Sequence, residues 1–223
     1  MTQLKLLSGY MDYLMNERII FSNACLSEGI ESLSENDAVL KEAFKLGSPM
    51  QLRLREPGFS NLVSVIVSQQ ISVAAADSIL KKMGHEMISS EELITISTDE
   101  KLKEFGLSRQ KIKYVRALAA AKINYQDLES LESNKVIEIL TNVLGIGRWT
   151  AEIYLMFSLG RANIFPAGDL ALQEAYRILY KLPERPNEKK MRDLAGRWSP
   201  WMSISARGLW SYYSHMKRRE GIR

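Results

Sequence analysis

Cysteine and histidine are nearly absent from this chain of 223 residues. Cys25 is the only cysteine, and His85 and His215 are the only imidazoles. One thiol excludes an internal disulfide, a Cys-ligated zinc and a four-cysteine iron–sulfur cluster, and two imidazoles are too few for a His-built metal site. No catalytic metal and no organic cofactor is implied. Long apolar runs are missing too, so no membrane span is expected. The N-terminus, MTQLKLLSGYMDYLMNER, carries Asp12 and Glu17 and lacks a small-residue cleavage site after an apolar core. It does not read as a signal peptide, and the cytoplasm is the expected compartment. Strand signals are equally scarce: Leu93-Ile94-Thr95-Ile96 is the single short candidate.

What is present reads as helix. Gly58 to Val67 and Val73 to Met83 are helical runs joined at Ser68-Gln69-Gln70-Ile71-Ser72, with Ser72 expected to cap the second. Ser108 is expected to cap a helix running through Lys122, with Ile112, Val115, Leu118 and Ala119 on one face. Val136, Ile139, Leu140, Val143 and Leu144 form an amphipathic stripe that Gly145 should stop. Trp149 to Leu159 is apolar nearly all round, which predicts a central buried helix. Further helices are expected over Leu170–Tyr180 and from about Trp201 to Lys217, with a loop at Leu182–Asn187 between them. Residues 1–20 suggest an outer helix. The fold class is therefore all-α. One lobe is expected over about 58–160, and helices of 1–57 packing with 161–223 would close a second.

Charge is unevenly spread. The net is +4, but residues 181–223 hold 11 Lys and Arg against 4 Asp and Glu. A second basic run is Lys101, Lys103, Arg109, Lys111, Lys113, Arg116 and Lys122, opposed nearby by Glu104. Such a face suits a polyanionic partner, and it equally suits an ordinary solvated helix surface.

The most informative stretch is Leu140–Leu172, LTNVLGIGRWTAEIYLMFSLGRANIFPAGDLAL. Two helical patterns flank Gly145-Ile146-Gly147, and the acid Asp169 follows the Phe165-Pro166 break. The first N–H groups of the second helix have no partner within that helix, and the helix dipole adds positive character there. Glycines would let a phosphate approach the backbone, so this turn can hold a DNA phosphate without reading sequence. A sharp turn between packed helices accounts for the same glycines, and Asp169 could serve only as a helix N-cap.

Taken together, Leu144-Gly145-Ile146-Gly147-x-Trp149-Thr150-Ala151 and Phe165-Pro166-x-x-Asp169-Leu170 resemble the helix–hairpin–helix DNA glycosylase superfamily. The likeness is to its alkylpurine branch, the 3-methyladenine DNA glycosylase II family. Gly58-Phe59, Val67 to Ser72, Gly106-Leu107-Ser108-x-x-Lys111 and Trp198-x-Pro200-Trp201 through Trp210 also fit, extending the likeness over about residues 30–215. The resemblance implies two helical lobes with the hairpin at a DNA-binding cleft. It implies a monomeric enzyme that flips alkylated purines (3-methyladenine, and 7-methylguanine as a further candidate) out of double-stranded DNA and hydrolyses the N-glycosidic bond. The compartment would then be the nucleoid of a bacterium or the nucleus of a eukaryote.

Residue by residue, the resemblance makes Asp169 the catalytic carboxylate and Trp149, Trp210 and Tyr154 the walls of the base pocket; Trp198 and Trp201 read as core. DNA contacts fall to Gly145, Ile146, Gly147, Arg148 and Thr150 of the hairpin, to Gln70 and Ile71 of a wedge turn, and to Lys111. Bifunctional members carry a lysine nucleophile where this chain has Trp149, so no strand cleavage is expected. The chain departs from its relatives at Gln70, where leucine is frequent, at Met202, where arginine is common, and at Asn163, where aspartate is frequent. Arg207 is a candidate to replace the lost positive charge. A non-catalytic binder of lesion or abasic DNA, or a glycosylase for deaminated or ring-fused bases, also fits these motifs.

Overall fold

The computed structural model describes residues 17–219. The helix suggested for residues 1–20 lies, up to residue 16, outside the described residues. In chain order the first helices are α1 (Asn23–Asn36), α2 (Ala38–Leu46), α3 (Phe59–Ser68), α4 (Val73–Ser89), α5 (Glu91–Ile96), α6 (Asp99–Glu104) and α7 (Arg109–Ala120). They are followed by α8 (Tyr125–Ser130), α9 (Ser133–Thr141), α10 (Arg148–Phe157), α11 (Leu170–Leu179), α12 (Glu188–Ala195), a 3-10 turn Gly196–Trp198 and α13 (Met202–Arg219). Among the described residues, extended pairing is limited to the isolated bridge between Ile19 and Arg161. The chain is all-α.

Two compact units are present, one of residues 1–54 and 160–223, the other of residues 55–159. In the discontinuous unit α13 packs on α1, α2 and α11. Leu33, Leu40, Ala43, Leu172, Ala175, Trp198, Trp201 and Ile204 are buried there. Trp198 and Trp201 are core residues, as their sequence context suggests. In the continuous unit α3 packs on α4, α7 and α10, and α9 packs on α10. Leu62, Ile66, Val67, Val115, Leu118, Leu140 and Leu155 have no more than traces of exposure. Each such aliphatic side chain contributes roughly 1.5–3 kcal/mol of transfer free energy.

Short polar side chains set the helix starts. Ser72 accepts the Ala75 N–H at 3.2 Å, and Ser108 accepts the Lys111 N–H at 3.3 Å. Capping also decides the one strand candidate. Leu93–Ile96 lies within α5, where Ser90 accepts the Leu93 N–H at 3.1 Å and Glu91 and Glu92 occupy the first turn. Acidic groups there favour the helix dipole, so four β-prone residues wind helically around the buried Ile94. The expected helix through Lys122 stops at Ala120, with Lys122 itself at φ +48°. The stripe ending at Leu144 leaves the helix at Thr141, and Leu144 is half-exposed. The helix after Trp149 is not apolar all round: Glu152 is buried within it and pairs with Arg148.

Candidate functional site

In the continuous unit the turn between α9 and α10 is built around two dissimilar glycines. Gly145 lies at φ +94°, and a Cβ added to it would run into the Tyr114 ring of α7. Gly147 has φ −87° and caps α10 without any side-chain bond, and a Cβ there would meet open space. One glycine is thus required by packing, while the other keeps the surface before the α10 N-terminus clear. That is the arrangement a phosphate needs, since the first N–H groups of α10 point out of the helix.

Several expected DNA contacts are placed differently from their reading in sequence. Ile146 is buried, so its side chain anchors the turn and its contribution to a ligand is limited to backbone. Thr150 is 3 % exposed and its Oγ1 accepts from Gln69 Nε2 at 3.5 Å, so it braces the hairpin from within. Lys111 does not reach outward: its Nζ donates to the Val67 carbonyl at 2.5 Å, and burial pushes its pKa below the usual lysine value. Arg148 does stand at the surface, its Nε 3.0 Å from the buried Glu152 carboxylate.

The segment between α3 and α4 turns sharply. Gln70 sits at φ +58° and is exposed, as are Ile71 and Val73 beside it. A groove of about 830 Å³ runs along α3 and α4, and Gln70, Ile71, Trp149, Thr150 and Ile153 share its walls. Trp149 is 39 % exposed, which suits a ring that stacks on a ligand. Tyr154 corrects the sequence reading. It is 1 % exposed, and its hydroxyl accepts the Gly58 N–H at 3.0 Å. Burial pushes its pKa up to about 12, so it anchors the start of α3 rather than walling an open pocket. Ile153, one residue earlier, faces the groove instead.

In the discontinuous unit Asp169 is the N-cap of α11, and its Oδ1 accepts the Leu172 N–H at 3.0 Å. The same oxygen accepts the indole Nε1–H of Trp210 on α13 at 3.2 Å. The cap reading of Asp169 is therefore true of its structure, and the indole adds an aimed, half-buried donor that a cap does not require. Gln173 holds the loop before it by donating from Nε2 to the Ala167 carbonyl at 2.8 Å. Arg207 is directed at backbone: its guanidinium donates to the Gln51 carbonyl, and burial together with the nearby charge of Arg53 lowers its pKa to about 10.

Sequence reasoning missed Gln69, Tyr114 and Glu152. Gln69 was legible only as the neighbour of Gln70; Tyr114 and Glu152 act through contacts whose partners lie far off or one helical turn away.

Residues 63–200 match the HhH-GPD superfamily of base excision DNA repair proteins. A DNA-3-methyladenine glycosylase of Schizosaccharomyces pombe is 28% identical over 209 residues, spanning 90% of this chain and 92% of that protein. The crystal structure of a DNA-3-methyladenine glycosidase from Bacillus halodurans superposes with a TM-score of 0.74 at 30% identity, covering 85% of this chain and 91% of that one. A Schizosaccharomyces pombe 3-methyladenine DNA glycosylase in complex with abasic DNA gives a TM-score of 0.72 at 29% identity, covering 82% and 95%. With that signature running over more than half its length, this chain belongs to the HhH-GPD superfamily of base excision DNA repair proteins.

Proposed function

We propose that the protein is a monofunctional DNA glycosylase that releases alkylated purines from duplex DNA. The observation that carries this reading is the Asp169 carboxylate, whose Oδ1 is held by the Leu172 N–H and the Trp210 indole. Cleavage of a purine N-glycosidic bond sends the bonding electron pair to the base and leaves positive charge on the deoxyribose. A fixed carboxylate lowers the energy of that charge and orients the attacking water, taking its proton as the new C–O bond forms. An N3- or N7-alkylated base is cationic before cleavage and leaves as a neutral molecule, so no general acid is needed for its departure. Aromatic faces favour such a cation, which fits the half-exposed Trp149 and Trp210.

The relatives with the same overall span are named for 3-methyladenine, which supports the choice of alkylated purines. Trp149 supports the absence of strand cleavage, because an indole cannot form the Schiff base that a lyase needs. The hairpin supplies the grip on the backbone, and the Gln70–Ile71 turn offers the side chains that would fill the space of an extruded base.

The test is a duplex with a single 7-methylguanine, incubated with the wild type and with Asp169→Asn. Asparagine caps helices as well as aspartate does, so the variant keeps the start of α11 while losing the charge. Strand breaks that appear only after alkali with the wild type, and a release rate lowered by about 10²–10⁴ in the variant, are expected. Breaks without alkali would contradict the monofunctional assignment, and undiminished release by the variant would remove Asp169 from the chemistry.

A further inference from the structure

The exposed turn at Gln70 is held by side chains whose other ends lie in the hairpin and in α7. Gln70 occupies a left-handed conformation at φ +58°, one that a non-glycine residue keeps only when its surroundings over-determine it. Three constraints converge on the residues before it. The Gln69 N–H closes α3 on the Ile66 carbonyl at 3.3 Å. Lys111 Nζ reaches across from α7 to the Val67 carbonyl at 2.5 Å. The Gln69 amide leaves the turn altogether and donates to the Gly145 carbonyl at 3.1 Å, with Thr150 Oγ1 at 3.5 Å.

Gly145 is itself fixed, since it packs against the Tyr114 ring, and Tyr114 lies one helical turn beyond Lys111 on α7. Lys111 and Tyr114 thus brace the turn and the hairpin from one helix, while Gln69 joins the two directly. A second groove, about 450 Å³ in volume, has Gln69, Gln70, Lys111, Tyr114 and the Gly145–Gly147 backbone along it. The hairpin and the exposed turn therefore share one continuous surface within this unit.

We propose that Gln69 is a positioning residue that couples the hairpin's hold on a DNA phosphate to presentation of Gln70 at the duplex. The proposal rests on reading the hairpin as a phosphate grip and the Gln70 turn as a wedge. In this coupling Gln69 touches neither phosphate nor base. Its amide fixes the distance between them, so that seating the hairpin places Gln70 in register with the base stack. Glutamate at 69 has nearly the same shape but presents an acceptor to the Gly145 carbonyl, so Gln69→Glu breaks the link without opening a cavity. Gln69→Ala removes the link without adding charge.

The experiment compares wild type, Gln69→Glu, Gln69→Ala and Gln70→Ala on two duplexes of one sequence. One is undamaged, and the other carries a tetrahydrofuran abasic analogue flanked by 2-aminopurine. Affinity for each duplex, the 2-aminopurine emission that reports unstacking, and the melting transition are measured at one salt concentration. Both Gln69 variants should melt cooperatively and bind undamaged duplex within about threefold of wild type. Their preference for the abasic duplex should fall about tenfold, the effect of one well-placed hydrogen bond, with weaker emission, matching Gln70→Ala. Equal loss on both duplexes would make Gln69 a support for the grip alone and overturn the coupling. Wild-type preference and emission in the Gln69 variants would overturn it as well. A wild type that does not distinguish the duplexes would instead overturn the wedge reading on which the coupling depends. Base release is not scored, so lack of activity on a given lesion does not enter the result.

Discussion

At Asp169 the helix cap and the proposed chemistry share one carboxylate, and Trp210 shows how they can be separated. Its Nε1–H on Oδ1 limits rotation of the carboxyl plane, and phenylalanine would keep most of the ring while removing that donor. Trp210→Phe should slow single-turnover release of 7-methylguanine about tenfold, with the melting temperature shifted by no more than a few degrees. An unchanged rate would reduce Trp210 to a stacking wall. Asp37 is a second acid whose role is visible only in the fold. It caps α2, accepts from Tyr180 Oη at 2.5 Å and Trp198 Nε1 at 3.0 Å, and faces Arg197. Burial alone would raise its pKa, but these donors, the Leu40 N–H and the Arg197 charge outweigh burial and hold it below the ordinary 3.8. A depressed folded-state pKa means that the unfolded chain binds more protons as pH falls. The stabilisation is therefore complete above pH 4 and is lost as pH drops through the folded value. Asp37→Asn should cost about 1 kcal/mol at neutral pH and flatten the loss of stability below pH 4, as followed by urea unfolding across that range.

The hairpin's two glycines make opposite predictions for the same substitution. Gly145→Ala places a methyl group against Tyr114 and imposes φ +94° on alanine, so it should lower stability by about 2–4 kcal/mol and disturb binding through the fold. Gly147→Ala meets no atom and needs no unusual backbone angle, so its melting transition should match wild type. Its methyl group would stand where the phosphate approaches, and affinity for duplex DNA should drop about tenfold. Thermal melts beside DNA titrations decide this, and normal binding by Gly147→Ala would remove the phosphate from that position. Helix starts were legible at this scale because Ser72 and Ser108 act within three residues of their own position. Leu93–Ile96 was not, since three apolar residues and a threonine carry no period of their own and the outcome turned on Ser90 and two acids before them. Tyr154 was misread for a related reason: neighbouring positions on α10 face different ways, and only burial shows that Ile153 meets the groove.

For the molecule as a whole, the sequence overstated how much positive charge is available to DNA. The run from Lys101 to Lys122 encloses one acid, Glu104, but Asp99 and Glu100 directly before it and Glu91 further back also pair with it in the fold. Lys101 pairs with Glu104 at 3.0 Å, Lys103 with Glu100 at 3.7 Å, Arg116 with Asp99 at 2.9 Å and Lys122 with Glu91 at 3.2 Å. Lys111 is turned onto a backbone carbonyl. Exposed pairs of this kind contribute at most about 1 kcal/mol to stability, yet each must be broken before its cation can replace a counterion on DNA. Only part of the basic composition should therefore act in binding, with the α10 N-terminus supplying contact through backbone instead. Neutralising about three or four phosphates would give a log–log salt slope near −3 to −4, compared with about −6 if all seven cations of that run took part. Between 50 and 200 mM salt the affinity for undamaged duplex should then fall about a hundredfold. A titration of binding against salt concentration measures the slope directly. A value near −6 would mean that the ion pairs open on DNA and the whole run engages the backbone, and a flat response would contradict a phosphate grip altogether.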